Sequence, residues 1–171
     1  MRLYSDVVKP APLAWLVLVL VLVPGQRGRA QEAIYVVRHA ERADQSADSA
    51  LSPQGLSRAE RLRDTLRDAG VTQIFTSELR RTIATAAPLA AARHLTPQSI
   101  PAADAGTLAA RIAAAGPRDR VLVVGHSNTV PALLHALHVD ASVTIADEDY
   151  DNLFIVVPQK EGRPVLLRLK Y

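Results

Sequence analysis

The sequence contains no cysteine. That excludes disulfides, zinc–thiolate sites, iron–sulfur clusters and a cysteine nucleophile. Aromatic residues make up only 4% of the chain. The uncharged apolar run APLAWLVLVLVLV over residues 11–23 is short for an ordinary membrane span of about 20 residues. There is no internal repeat. The body of the chain also lacks excess charge. Net charge is +3 and the isoelectric point is about 9.6. Residues 1–30 hold Arg2, Lys9, Arg27 and Arg29 against Asp6 alone, and the remaining 141 residues carry 16 basic and 16 acidic side chains. The basicity therefore belongs to the N-terminal segment and is not a nucleic-acid footprint. Hydrophobic residues at 49% and charged residues at 22% are ordinary for a globular chain. A length of 171 residues fits one domain with one sizeable core.

Residues 1–30 read as a secretory leader. Arg2 and Lys9 precede the apolar run, Pro24-Gly25 follows it, and Gly28-Arg29-Ala30 offers small residues for cleavage after Ala30. An uncleaved anchor over residues 11–23 is the alternative. Either way residues 31–171 form the functional domain, placed outside the cytoplasm: secreted, periplasmic or held at a membrane through the N-terminal segment.

Hydrophobic patterning over residues 31–171 alternates strands and helices. AIYVVR (33–38), QIFT (73–76) and RVLVV (120–124) are short β-branched runs of the kind buried in a sheet. Ser52-Pro53 is an N-cap followed by proline at the first helical position. Leu56, Ala59, Leu62, Leu66 and Ala69 then recur at helical spacing before Gly70 stops the helix. Ser77 is expected to cap a second helix ending near Arg93, and Asp104 precedes a third that ends at Gly116-Pro117. A fourth runs from about Thr129 to Leu137. Residues 141–146, 153–158 and 165–169 read as strands, the last two forming a hairpin about Glu161-Gly162-Arg163. The alternation predicts an α/β fold, a three-layer α/β/α sandwich with a mainly parallel sheet and an antiparallel C-terminal hairpin.

Ligands of such sheets bind beyond the carboxyl ends of the strands. Three segments fall there. Arg38-His39 ends the first strand: an imidazole whose second nitrogen is pinned is a nucleophile, and a guanidinium pairs with phosphate oxygens. Ser77 to Thr82 follows the second strand, where a helix N-terminus favours an anion and Arg81 lies one turn inside. Arg80 points about 100° away, toward solvent. Gly125-His126-Ser127-Asn128 places a histidine at a helix start. A serine-hydrolase elbow at Ser127 would need a glycine where Thr129 stands. His94, His135 and His138 fit no metal spacing and read as structural or surface residues.

Taken together, Val37-Arg38-His39-Ala40-Glu41, Leu51-Ser52-Pro53-Gln54-Gly55, Ser77-Glu78-Leu79-Arg80-Arg81-Thr82 with Thr85-Ala86, and Val124-Gly125-His126-Ser127-Asn128 resemble the motifs of the histidine phosphatase superfamily, also called phosphoglycerate mutase-like. They occur in the family's order over about residues 33–171, in the manner of its short, single-domain branch. The resemblance implies a phosphatase acting through a phosphohistidine on His39, with Arg38, Arg81 and His126 as the phosphate pocket and no metal or cofactor. It also departs from the family. Position 127 is serine where some members have an aspartate, and residues 82–103 contain no acid, so Glu41 and Asp104 are the candidate proton donors. Implied partners are a phosphorylated small molecule, an envelope sugar phosphate or a phosphoprotein. A phosphate-binding or regulatory module with little turnover is the alternative, and a phosphomutase is a further one. The acidic run Asp147 to Asp151 reads as a solvated turn before a strand.

Overall fold

The computed structural model describes residues 32–139 and 142–171. The leader assigned to residues 1–30 lies outside them. No helix among the described residues is long and apolar enough to cross a membrane.

The element order is β1 (Ala33–Arg38), α1 (Pro53–Leu66), β2 (Gln73–Thr76), α2 (Arg80–Arg93), β3 (Gln98–Ser99), α3 (Ala105–Ala113), β4 (Arg120–Gly125), α4 (Thr129–Ala136), β5 (Asn152–Val157) and β6 (Val165–Lys170). One six-stranded sheet has the order β3-β2-β4-β1-β5-β6. The pairs β2–β3, β2–β4 and β1–β4 are parallel, whereas β5 joins β1 antiparallel and β6 closes the hairpin. This is the expected α/β/α sandwich with its C-terminal hairpin at one edge.

The strands read as continuous apolar runs because both faces of the sheet are covered. Ile34 and Val36 of β1, Phe75 of β2 and Val121 and Val123 of β4 face one cluster with Ile112, Val130 and Leu133. Val37, Ile74, Leu122 and Val124 face the other, with Leu62, Leu66 and Leu89. The side-chain alternation of each strand thus fills two cores, one under α3 and α4 and one under α1 and α2.

Four details depart from the sequence reading. First, α1 starts as expected, with Ser52 Oγ accepting from Gly55 N at 3.1 Å, but Leu56 is 54% exposed. The inward stripe is Gly55, Ala59, Leu62 and Leu66. Gly55 takes the position because a Cβ there would collide with the Glu41 carbonyl. Second, Ser77 does not cap α2, which begins at Arg80 after an uncapped Leu79. Asp48 Oδ1 accepts from Arg80 N at 2.8 Å instead, so that helix start is partly satisfied by an acid from the 40–51 loop. Third, residues 142–146 are not a strand, and Ala141 lies outside the described residues. β5 already fills the place beside β1, and the chain from Ala146 onward serves the Arg38 side chain instead. Fourth, the two-residue β3 carries too little pattern to be read from sequence.

Candidate active site

β1 and β4 lie side by side with Arg38 opposite Gly125. The next residue of each chain is therefore a histidine at the same edge of the sheet. His39 N donates to Gly125 O at 2.9 Å. The two rings meet edge-on with centroids 5.2 Å apart. Gly125 allows this because a Cβ would sit 2.9 Å from Thr129 Oγ1 and 3.2 Å from Val130 Cγ2. The glycine serves close strand–helix packing, and Thr129 Oγ1 in turn accepts from His126 N at 2.9 Å.

His39 is buried, and its Nδ1 lies 2.8 Å from the Ala40 carbonyl. A carbonyl oxygen only accepts, so Nδ1 carries the proton and Nε2 keeps its lone pair. Burial pushes the ring's pKa from 6.5 down to about 3, with His126, Arg38 and Arg81 adding repulsion and the Ala40 bond opposing. At neutral pH the ring is an uncharged base. The backbone behind it is pinned to α2: Ala40 N donates to Thr85 Oγ1 at 2.9 Å, and that hydroxyl donates to Arg81 O at 2.7 Å.

His126 Nε2 lies 3.0 Å from Ser77 Oγ, which also contacts Thr82 Oγ1 at 2.9 Å. Nδ1 is left for a ligand. Burial, then the Arg81 charge, lowers this ring to about pH 4. Among the protein's own groups it is therefore neutral at pH 7, and an anionic phosphoryl group beside it supplies the charge that raises it again.

Two buried guanidiniums complete the cluster. Arg38 and Arg81 are 4% and 9% exposed. Each Nε is buried without a hydrogen-bond partner. Nη1 of Arg81 is spent on Ala47 O at 2.8 Å, and Nη1 of Arg38 on Ala146 O and Asp147 O at 2.8 and 2.9 Å. An unpartnered, charged N–H in a folded interior is an unpaid desolvation cost unless an anion meets it. Both cations depress both histidines, so all four groups share one electrostatic environment. Arg80 is exposed, as its helical angle implies.

The acid candidates sit differently. Glu41 is buried and held by Arg58 in three hydrogen bonds of 2.6–2.9 Å. Burial, the largest single influence, raises its pKa, but the Arg58 hydrogen bonds, its own backbone N–H and the Arg58 and Arg61 charges together lower it. It is an ionised carboxylate tying the loop after His39 to α1. Asp104 Oδ1 accepts from Thr107 N at 2.9 Å and caps α3. That bond lowers its pKa. Ser127 makes no hydrogen bond to a histidine among the described residues. No group of three or more His, Asp or Glu residues among them is arranged to hold a metal ion.

One contributor escaped the sequence reading. Tyr150, in the acidic turn, packs its ring against Arg38 with Cζ 4.2 Å from the ring centroid, and lies 6.1 Å from the His39 ring. The turn is solvated, as expected, but it also faces the site. A polar cavity of about 450 Å³ opens there, bounded by Arg38, Arg42, Gln45, Gln54, Glu148 and Tyr150. Only the adjacency of an aromatic residue to that acidic run hinted at this.

Fold and site together define an α/β/α domain with two histidines and two buried arginines gathered beyond its strand ends. Residues 34–104 match the model of the histidine phosphatase superfamily (branch 1). The matched stretch runs from β1 to the residue before α3 and takes in Arg38, His39 and Arg81. No curated protein matches the sequence. Among solved structures, the protein histidine phosphatase SixA complexed with tungstate is 16% identical with a TM-score of 0.68, covering 81% of this chain and 96% of that one. A proposed phosphohistidine phosphatase SixA from Agrobacterium tumefaciens is 23% identical with a TM-score of 0.61, covering 80% and 97%. A mycobacterial glucosyl-3-phosphoglycerate phosphatase is 14% identical with a TM-score of 0.64, covering 82% and 98%. These likenesses establish a shared fold.

Proposed function

We propose that the protein is a phosphatase that transfers a phosphoryl group from its substrate to His39 and then to water, without a metal. The observation that carries this reading is the pair of buried, unpartnered guanidinium N–H groups on Arg38 and Arg81 beside a neutral imidazole with a free Nε2. Nε2 attacks phosphorus as the bond to the leaving group breaks, P–O in an ester or anhydride and P–N in a phosphohistidine, and the electron pair departs with the leaving oxygen or nitrogen. The positive charge on the phosphorylated ring is shared with the Ala40 carbonyl through Nδ1–H. Arg38, Arg81 and His126 hold the three non-bridging oxygens, which is where charge must be balanced during phosphoryl transfer. Water then attacks phosphorus, the P–N bond breaks, and His39 returns to its neutral form.

Neither Glu41, ionised against Arg58, nor Asp104, engaged as a cap, is a free proton donor. This favours a substrate whose leaving group departs without a strong acid, such as phosphohistidine or a phosphoanhydride. The SixA name of one solved neighbour is consistent with the former. The same observation favours a second reading, a phosphate-binding module with little turnover. The leader over residues 1–30 supports an extracytoplasmic location, with substrates drawn from envelope phosphosugars, other small phosphomonoesters or phosphorylated proteins.

Turnover of p-nitrophenyl phosphate by wild type, His39→Ala and Ser127→Ala decides between these readings. The phosphatase reading requires activity in wild type and Ser127→Ala, none in His39→Ala, and no effect of EDTA. A wild type that binds phosphate but releases no nitrophenol is the binding module. Activity that survives in His39→Ala contradicts the phosphohistidine route.

A further inference from the structure

We propose that Tyr150 is a positioning residue for the phosphoryl site, acting through Arg38; the inference rests on the phosphate-binding reading above. Both phosphate-pocket arginines are held by loop carbonyls, Arg81 by Ala47 O alone and Arg38 by a whole turn. Arg38 Nη1 donates to Ala146 O at 2.8 Å and Asp147 O at 2.9 Å, with Asp149 O at 3.4 Å. Three carbonyls of one turn thus converge on a single corner of the guanidinium. They fix that corner in place but leave the plane free to tip about it.

The Tyr150 ring removes that freedom. It packs against the guanidinium at 4.2 Å, a distance at which a cation and an aromatic face attract. The stack holds the plane so that the unpartnered Nε keeps its orientation. Asp147 contributes little to this grip, because its carboxylate is 4.0 Å from Nη2 and 93% exposed. Misplacing a charge-stabilising group by a fraction of an ångström weakens it, because hydrogen bonds to an anion are directional. The ring also stands 6.1 Å from the His39 ring and, with Arg38, borders the polar cavity. Its role is carried by the ring, so phenylalanine substitutes for it.

The test is a double-mutant cycle read by the affinity for inorganic phosphate, measured by calorimetry, and by kcat and KM for p-nitrophenyl phosphate. Tyr150→Ala is expected to weaken phosphate binding and lower kcat/KM by about tenfold, and Tyr150→Phe to stay within about twofold of wild type. In the Arg38→Ala background, Tyr150→Ala is expected to cause no further loss. A thermal unfolding midpoint for each variant separates loss of fold from loss of positioning, and the phenylalanine variant reads the proposal even if the alanine variant is unstable. Wild-type phosphate affinity in Tyr150→Ala overturns the proposal alone. So does a phenylalanine variant as weak as the alanine one, or an undiminished loss in the Arg38→Ala background. A wild-type protein that binds no phosphate overturns the phosphate-binding reading and this proposal together.

Discussion

The strand ends that carry Arg38, His39 and His126 differ from the loops facing them, residues 41–50 and 146–150, in how each position is fixed. At the strand ends the backbone is paired on both sides: β1 lies between β4 and β5 and β4 between β2 and β1. The histidines inherit that rigidity, and each has one ring nitrogen engaged by a partner, Ala40 O or Ser77 Oγ. The loops hold their places through side chains instead. Glu41 is tied to Arg58, Asp48 to the start of α2, and the 146–149 carbonyls to Arg38. The difference teaches a division of labour. The sheet fixes the two histidines, and the loops hold the guanidiniums; on the proposed mechanism that separates the reacting atoms from the groups that orient the cations.

That division can be broken by experiment. The largest effect belongs to the strand ends. His39→Ala removes the attacking nitrogen and is expected to lower kcat by about a thousandfold or more, with the fold and phosphate binding retained. Next comes Arg81→Ala, expected to cost about a hundredfold in kcat/KM through lost stabilisation of the transferring phosphoryl group. Steady-state kinetics measure both. If His39→Ala left turnover near wild type, the strand ends would not be where the chemistry resides; if Arg81→Ala did, the first turn of α2 would not hold the phosphoryl group.

The loop side predicts a change in stability more than in chemistry. Arg58→Ala leaves Glu41 without its partner in a setting where both side chains are 12% exposed. It is expected to destabilise the fold by about 2 kcal/mol in urea unfolding, less than a fully buried pair because some solvent remains. Activity on p-nitrophenyl phosphate should fall far less than in Arg81→Ala.

The smallest effect concerns the two histidines at the strand ends. The folded protein holds His39 at about 3 and His126 at about 4, against 6.5 for an unconstrained ring. Below pH 6.5 the unfolded chain binds protons that the folded site refuses. Stability is thus complete above that pH and declines as pH falls toward 4. The slope is at most about 1.4 kcal/mol per pH unit for each ring, and the total loss is smaller for His126, whose shift is smaller. Urea unfolding at pH 7, 6 and 5 checks this, and His39→Ala should flatten the profile. Phosphate binding should take up a proton near pH 6 as His126 becomes charged, which calorimetry in two buffers of different ionisation enthalpy detects.

Legibility in the sequence followed the same divide. β1, β2 and β4 announced themselves because runs buried on two faces are apolar throughout, and the residues just after them were therefore placed correctly at the mouth. Ser52-Pro53 marked the start of α1 because a cap and a proline are local signals. Ser77 misled because the same residue type that caps helices also hydrogen-bonds side chains, and here its hydroxyl serves His126 and Thr82. Leu56 misled because helical spacing cannot foresee that α1 must pass close to the Glu41 backbone, where only Gly55 fits. Glu41 and Asp104 were named by type, yet their partners, Arg58 and Thr107 N, are set by packing and capping. Tyr150 was lost in an acidic run because its partner, Arg38, is 112 residues earlier in the chain and nothing local marks the contact.

The central claim is that a phosphoryl group rests covalently on His39 during turnover. Rapid mixing with excess p-nitrophenyl phosphate, an alkaline quench that preserves phosphohistidine, and peptide mass spectrometry test it most directly. The account predicts a phosphoryl adduct on the peptide containing His39 in wild type, and none in His39→Ala. Steady turnover with no adduct on that peptide, or an adduct on Ser127 or His126 instead, would contradict it.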